Sequence, residues 1–499
     1  MPFKKQNIEE LLDMRAKLKE EGQISPTVDL LFDSLFTMVY YQFEQIEGLK
    51  EENELLKKRV SDLEASKKKN SKNSSLPPSK DDRRKRGSNR KSTSRVPGGQ
   101  LGHKGSTLKK VSKPDVIIRH KLKGKCPCGR ALSKAKKKTF KEKQVFDVEI
   151  KKVVTAHRSD VGQCSCGRIH EAEFPEGVTN NTQYGETAKT LAAYFSQYQL
   201  IPFERTQEIF HDIFDLGLCK GTVFNHLEKA AGSMTDLRSW FREVLLKSKL
   251  NHADETGVQV IKEQHHLHVV SNEQTTFLDI YKGRGKEGVE GMGVLTGYKG
   301  KLVHDCYSMY FGYPCVDVIC NAHLVRELTF FCEKDQYAWA NLMKEFLEKI
   351  YKNTNKMKNK GRKKRVSSEF IFIQKEYRKI LRAAKKELKE LINKKGRKQE
   401  KVVNLYLRMK KHEAGVLMFA KDFKVPFTNN QAERDLRMAK VHQKISGCFR
   451  SLSSAKNWAL MRSYISTMKK RKIGVFDGLK ALYDPSLKSP IYSILGPPG

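Results

Sequence analysis

Leu250-Asn-His-Ala-Asp254-Glu255-Thr-Gly-Val-Gln-Val260 reads as a β-strand, and the runs His266 to Val270 and Thr276 to Tyr281 follow it after short turns. Together they predict a three-stranded antiparallel start to a sheet. A glycine-rich, helical run comes next, then a fourth strand ending in Lys301-Leu-Val-His-Asp305. A further strand, Val316 to Ile319, precedes a helix starting near Asn321.

Three strands, a helix and a fourth strand is the element order of a ribonuclease-H-like fold. In that fold carboxylates on the first and fourth strands lie side by side, and a third comes from a late helix. Such a set holds two divalent metals that clamp the attacking and leaving oxygens of an in-line phosphoryl transfer. Hard cations of this kind, Mg2+ or Mn2+, prefer oxygen ligands. Asp254 and Asp305 fit the first two positions. Glu255 is the neighbour to weigh against Asp254, and strand alternation puts it on the other face. Glu433, in Thr428-Asn-Asn-Gln-Ala-Glu433-Arg434, is the candidate for the third. Its spacing has a second reading, because Asn430 and Glu433 also fit a helix capping box.

Working outward, the chain has 499 residues, too many for one core. Lys+Arg number 96 against Asp+Glu 57, a formal net charge of +39. That excess points to an anionic partner, double-stranded DNA before others. Charge alone does not exclude a ribosomal or membrane-surface protein. The polar start MPFKKQNIEELLDMR is no secretory signal, and no apolar run is long enough to span a bilayer. The expected location is the cytoplasm, on the nucleoid, where cysteines serve as thiols or metal ligands rather than disulfides.

The expected class is multidomain α+β. Residues 1–64 hold two helices. Asn7 and Glu10 form a capping box for the first, Gly22 ends it, and Ser25 and Pro26 open the second. The second carries a seam at Val28, Phe32, Leu35, Val39, Gln42, Ile46, Leu49, Asn53, Leu56, Val60 and Leu63. Steps of four and three alternate without a break, which signals a coiled coil and a homodimer or higher oligomer. The alternative, a lone amphipathic helix, fits poorly with polar faces on both sides of the seam. Residues 65–110 are rich in Lys, Arg, Ser, Gly and Pro and read as a basic linker. The linker is either a solvated tether or a DNA-gripping arm, with Arg83, Arg84, Lys85 and Arg86 as candidate contacts.

Residues 111–177 hold two near-copies, Cys126-Pro-Cys128-Gly129 and Cys164-Ser-Cys166-Gly167, each followed by Arg. Four thiolates suit a structural Zn2+ in a zinc-ribbon-like domain. Strand-like runs, Val145 to Ile150 and Lys152 to Ala156, lie between them. Cys320 and His323 read as ordinary buried residues, with a second metal site as the lesser alternative. Residues 183–248 are helical. Phe203 to Phe214, with Ile209 and Ile213, makes a first helix, Gly217 a turn, and Lys220 onward a second helix with Val223, Leu227 and Ala230 or Ala231 inward. This is either a helix-turn-helix offering Lys220, Thr222, Asn225 and His226 to a groove, or an ordinary helical hairpin. Residues 249–334 carry the first part of the sheet domain and 335–420 a basic helical insertion. Residues 421–499 hold the late helices, with Arg434 and Arg437 beside Glu433 as further candidate DNA contacts.

At this point the chain resembles the transposases of the insertion sequence 66 family over nearly its whole length. The resemblance rests on the heptad helix, Asn73-Ser-Ser-Leu-Pro-Pro-Ser79, Pro97-Gly-Gly-Gln-Leu-Gly-His-Lys-Gly105 and the cysteine pairs. It continues with Asp254-Glu-Thr256, His304-Asp305-Cys-Tyr307, Cys320-Asn-Ala-His323 and Asn429-Asn430-Gln-Ala-Glu433-Arg434. It implies that Asp254, Asp305 and Glu433 are the catalytic carboxylates, and it favours catalysis over capping for Glu433. It also implies a zinc-binding domain, an amino-terminal zipper and a helical insertion before the glutamate. The chain departs from the family where Thr428 replaces an Asp, where the cysteine pairs are tighter, and where Arg326 is followed by Glu327.

The leading expectation is an enzyme that binds the inverted repeats at the ends of a mobile element, nicks them and joins the 3′ hydroxyls to target DNA. Accessory element-encoded proteins are a conceivable addition to its partners. The runner-up is a DNA-binding architectural or regulatory protein whose catalytic site has decayed. The intact triad argues against it. The third is a structure-selective nuclease of the same fold, which the zipper and the helix-turn-helix reading argue against.

Overall fold

A computed structural model describes residues 5–67, 69, 73, 107–136, 138–393, 399–487 and 489–498. Among these, strands form two sheets. The first is a small hairpin of β1 (Val161–Gln163) and β2 (Ile169–Glu171). The second has five strands: β3 (Leu250–Val260), β4 (Glu263–Ser271), β5 (Thr276–Tyr281), β6 (Lys301–His304) and β7 (Val316–Ile319), in spatial order β5-β4-β3-β6-β7. The expected order of elements is present, and the fold is mixed α/β with a mixed sheet.

Strands β3, β4 and β5 form an antiparallel meander. Its first turn is the two-residue loop Ile261-Lys262, with φ of +50° and +64°. Two left-handed residues match the twist of a hairpin, although a β-branched isoleucine resists that conformation. The loop is pinned from outside: Ile261 N donates to Phe449 O and Phe449 N to Gln259 O. The helix Lys286–Met292 then carries the chain over to β6, which runs parallel to β3.

Both faces of the sheet are covered, so the strands are apolar on both sides. Val258, Val260, Leu267, Val269, Leu278 and Ile280 pack with Ala432, Leu436 and Ala439 of the helix Asn430–Ser446. On the opposite face Ala253, Val270 and Phe277 pack with Trp240 and Phe241 of the helix Leu237–Leu246. Odd and even residues of β3 therefore face different cores, as the two-residue period of a strand requires.

By contacts the chain divides into two units, residues 86–318 with 428–499, and residues 1–85 with 319–427. The first holds the sheet. The second includes Asn321–Asp335, Ala338–Asn359, Ser367–Glu387, Lys401–Lys411 and Glu413–Lys421, with Trp339, Met343, Tyr377, Val403 and Leu417 buried. It also includes the helices Lys5–Glu20 and Pro26–Lys67. The first of these starts before Asn7, so Asn7 sits inside the helix and no box opens there; the side chain of Asn7 lies outside the described residues. Gly22 ends the helix with φ +67°, and Ser25 Oγ accepts from Val28 N ahead of Pro26. Arg15 holds the hairpin closed through Asp29 and Asp33, each at 2.5 Å. Along the second helix the apolar seam residues are exposed, Leu49 at 61% and Leu63 at 65%.

The runs Val145 to Ile150 and Lys152 to Ala156 are not strands. They are exposed, Val145 at 91% and Val154 at 84%, and have no ladder partner among the described residues. One side chain substitutes for a neighbour: the Gln144 amide brackets the backbone N–H and C=O of Val111, both at 2.8 Å. Among the described residues no helix is long and apolar enough to cross a membrane.

Candidate functional site

The parallel pairing of β3 with β6 sets the geometry. His252 lies opposite Val303, the last matched pair. Asp254 stands two residues further along β3 and Asp305 just past the end of β6, near enough to raise the Asp254 carboxyl. Asp254 shares a face with Val258 and Val260, the face covered by the helix Asn430–Ser446. Glu433 lies in the first turn of that helix.

The electrostatics show how closely these groups stand. Burial pushes the Asp254 carboxyl well above the usual carboxylate range, and Asp305, Glu255 and Glu433 push it further. Only the backbone N–H of Glu255, donating to Asp254 Oδ1 at 2.9 Å, pulls the other way. A half-buried carboxylate whose charged neighbours are three more carboxylates is in need of positive charge. Oxygen donors of this kind suit Mg2+ or Mn2+, although Asp254, Asp305 and Glu433 do not form a group within 4.8 Å of one another among the described residues.

Glu255 is committed elsewhere, on the opposite face of β3. Its side chain is 2% exposed; Oε1 accepts from Arg284 Nε at 2.9 Å and pairs with Nη2 at 2.8 Å, and Oε2 accepts from Tyr310 OH at 2.7 Å. Asp305 is held by its own turn, with Tyr307 N donating to Oδ1 at 3.0 Å. Cys306, between them, is left-handed at φ +72°. His304 is buried against Tyr310 and Phe311. Its Nδ1 accepts from Cys306 N at 3.3 Å, so Nε2 carries the proton toward Asp317, also at 3.3 Å.

The capping alternative for Glu433 is not what forms. The N-cap is Asn429, not Asn430, and its side chain makes no cap hydrogen bond. A capping box joins the N-cap to the third helical residue, which here is Ala432. The Asn429 side chain turns instead to β3. It is buried, takes a hydrogen bond from His252 Nδ1 at 2.8 Å and donates to Ala253 O at 2.8 Å. This amide ties the start of the Glu433 helix to the residues just before Asp254. Asn429, His252, Arg284 and Tyr310 are absent from the sequence reading as site residues. The paired asparagines were the one available signal.

Each cysteine pair forms a knuckle. Cys126 N donates to Arg130 O and Gly129 N to Cys126 O; Cys164 N to Arg168 O and Gly167 N to Cys164 O, all at 2.8 Å. Gly129 and Gly167 take φ of +80° and +87°, which a side chain would strain. Strands β1 and β2 close the second knuckle, and a Lys125–Ala131 bridge the first. Backbone N–H of Arg130, with the Cys126 thiol, holds Cys128 below the usual thiol range; Cys164 is lowered by Cys166 in the same way. No three of the four thiols lie within 4.8 Å of one another among the described residues.

The helices Phe203–Phe214 and Lys220–Gly232 form in the expected places. The first spans Phe203–Phe214 as expected, capped by Asp215, left-handed at φ +48°, and buries Phe210 while Ile213 is 49% exposed. Val223, Ala230 and Ala231 face inward as expected, with Leu227 partly buried. Of the four candidate DNA contacts, Asn225 is exposed and Lys220 pairs with Glu204 at 3.2 Å. Thr222 caps with Cys219, and His226 packs its ring edge on Tyr184. Arg434 and Arg437 are exposed on the helix that carries Glu433. Arg83, Arg84, Lys85 and Arg86 lie outside the described residues.

A family model described as Transposase IS66 family matches residues 181–457, more than half of the chain, and a model for a family of unknown function matches residues 7–109. No curated protein matches the chain.

Proposed function

The chain belongs to the IS66 transposase family, and from that premise we propose that it cleaves the ends of a mobile DNA element and joins them to target DNA at a three-carboxylate site. The sheet domain is read as ribonuclease-H-like. The observation that supports the reading is the half-buried Asp254, whose carboxyl is raised by desolvation and then by Asp305, Glu255 and Glu433 around it.

Asp254, Asp305 and Glu433 would hold Mg2+ or Mn2+. When bound, the metals stabilise charge on the phosphate and on the entering and leaving oxygens. The protein's own part is to hold the three carboxylates rigidly. Asp305 is oriented by the Tyr307 amide, Asp254 by the Glu255 amide, and the Glu433 helix by Asn429. In the first step water attacks the end phosphodiester and the 3′ oxygen leaves as a hydroxyl. In the second that hydroxyl attacks a target phosphodiester, whose own 3′ oxygen leaves. No covalent protein intermediate is required.

The rest of the molecule would bring DNA and a second copy to this site. The exposed seam of Pro26–Lys67, with Asn53 at one seam position, pairs two chains in parallel. Cys126, Cys128, Cys164 and Cys166 hold one Zn2+ when the two knuckles close on each other, and loss of zinc in Cys128→Ser by elemental analysis would test that. Arg83, Arg84, Lys85, Arg86, Lys220, Thr222, Asn225, His226, Arg434 and Arg437 are the proposed DNA contacts.

The central test is end cleavage on a labelled duplex carrying the repeats that flank the gene. Asp254→Asn, Asp305→Asn and Glu433→Gln should each lose cleavage by several orders of magnitude while DNA binding survives. Parent-like cleavage by Glu433→Gln would place the third carboxylate elsewhere.

A further inference from the structure

We propose that Arg284 binds the DNA backbone phosphate next to the bond being cut, as a fixed cation at the rim of the carboxylate cluster. The proposal rests on the transposase reading above and adds a substrate contact to it.

The geometry begins with the problem the site poses. Asp305, Glu255 and Glu433 all bear on the charge of Asp254, with Glu255 on the other face of β3, and the proposed substrate is a polyanion. Even with metals bound, a DNA strand approaching this surface needs positive charge placed beside them. Arg284 is held there. It lies in the turn after β5, ahead of the helix Lys286–Met292. Its guanidinium stands 4.5 Å from the centre of the Tyr307 ring, and the Tyr307 amide is the one bonded to Asp305. The charge is also close enough to Asp305 to feel it.

The way Arg284 is held leaves it able to bind something else. Nε donates to Glu255 Oε1 and Nη2 stands in ion-pair contact with the same oxygen, while Tyr310 takes the other oxygen. Glu255 is 2% exposed, whereas the Arg284 side chain is 53% exposed. One edge of the guanidinium is thus anchored to a buried carboxylate, with the ring of Tyr307 beneath. Nη1 has no hydrogen-bond partner among the described residues. A planar fork with one edge fixed and the other open suits a phosphate, and the anchoring reduces the entropy lost on binding. An arginine needed only to neutralise Glu255 would not have to sit half in solvent beside Asp305.

The competing role is that neutralisation alone, and a double variant separates the two. In the full-length chain, Arg284→Gln is compared with Arg284→Gln plus Glu255→Gln, which removes both charges of the pair. Two readouts are taken: end cleavage in magnesium, and the salt dependence of binding to the same duplex in calcium. If Arg284 binds phosphate, both variants lose cleavage by roughly 100-fold, and the log–log salt slope falls by about 1 in each. If Arg284 only balances Glu255, the double variant recovers parent cleavage. Such recovery, or an unchanged salt slope in Arg284→Gln, overturns the proposal. The salt slope reads the contact even where no cleavage occurs. A parent chain that binds but does not cut, with Asp254→Asn no different, counts instead against the transposase reading.

Discussion

Asn429→Ala tests whether one buried amide sets the position of Glu433. The substitution deletes two hydrogen bonds at 2.8 Å and leaves the Nδ1 proton of His252 and the carbonyl of Ala253 facing a hole. A typical hydrogen bond contributes about 1 kcal/mol net, but a buried polar atom left without its partner costs about 1–3 kcal/mol. Two such atoms in a site closed to water give an expected loss of roughly 2–4 kcal/mol. The effect on chemistry should be larger than on folding, because Glu433 follows one helical turn after Asn429. A displacement of about 1 Å in a catalytic group costs on the order of 100-fold in rate. Urea unfolding followed by tryptophan fluorescence measures the first quantity. The chain has three tryptophans, and a Trp339→Phe background leaves Trp240 and Trp458, both in the unit that holds the sheet. End cleavage at saturating DNA measures the second, and the magnesium concentration for half-maximal rate should rise with it. Asn429→Asp keeps the size and the acceptor for His252 but turns a carboxylate toward the Ala253 carbonyl, so it should be at least as damaging as alanine. A loss below about 0.5 kcal/mol with parent-like cleavage in both variants would refute the reasoning.

Three further outcomes are expected. Asp254→Asn removes one of four clustered carboxylates, so the metal-free variant should melt no lower than the parent; the parent's Tm should rise with Mg2+ or Mn2+ and the variant's much less, as read by scanning calorimetry. Ile261→Gly relieves a left-handed β-branched residue whose side chain is 62% exposed, and should raise stability by about 1 kcal/mol in urea unfolding; a loss would mean that the contact with Phe449 depends on the isoleucine side chain. His268 and His442 are both pushed down to about 4 by burial. Both stay neutral in the fold while the unfolded chain protonates near 6.5, so stability is full above that pH and is lost between 6.5 and 4, by up to about 3 kcal/mol for each. His442 stacks on Phe449 at 4.7 Å and its Nδ1 has no partner, so His442→Phe should flatten part of that pH dependence.

What could be read from the sequence was what depends on neighbours along the chain. The strand runs around Asp254 and Asp305 were legible because turn residues punctuate them, and the parallel pairing of β3 with β6 then brings the two carboxylates near each other. The start of the Glu433 helix was not legible, since Asn429 and Asn430 are the same residue and only the partner on β3 distinguishes them. Val145 to Ala156 has strand composition, but a strand also needs a ladder, and composition does not say whether a partner exists. Arg284 gave no local signal at all, because its anchor is Glu255, twenty-nine positions earlier.

The excursion of the chain between Ile319 and Phe427 imposes an order on synthesis. Strands β3 to β6 leave the ribosome together, so Asp254 and Asp305 can take their places early. The helix with Glu433 is made only after the whole excursion, and Leu452–Lys470, which packs on β5, later still. At roughly 5–20 residues per second, the nascent sheet waits on the order of ten seconds with Leu278 and Ile280 uncovered. A message cut short before codon 428 would yield a sheet lacking the late helices that cover both its cores, a product prone to aggregate.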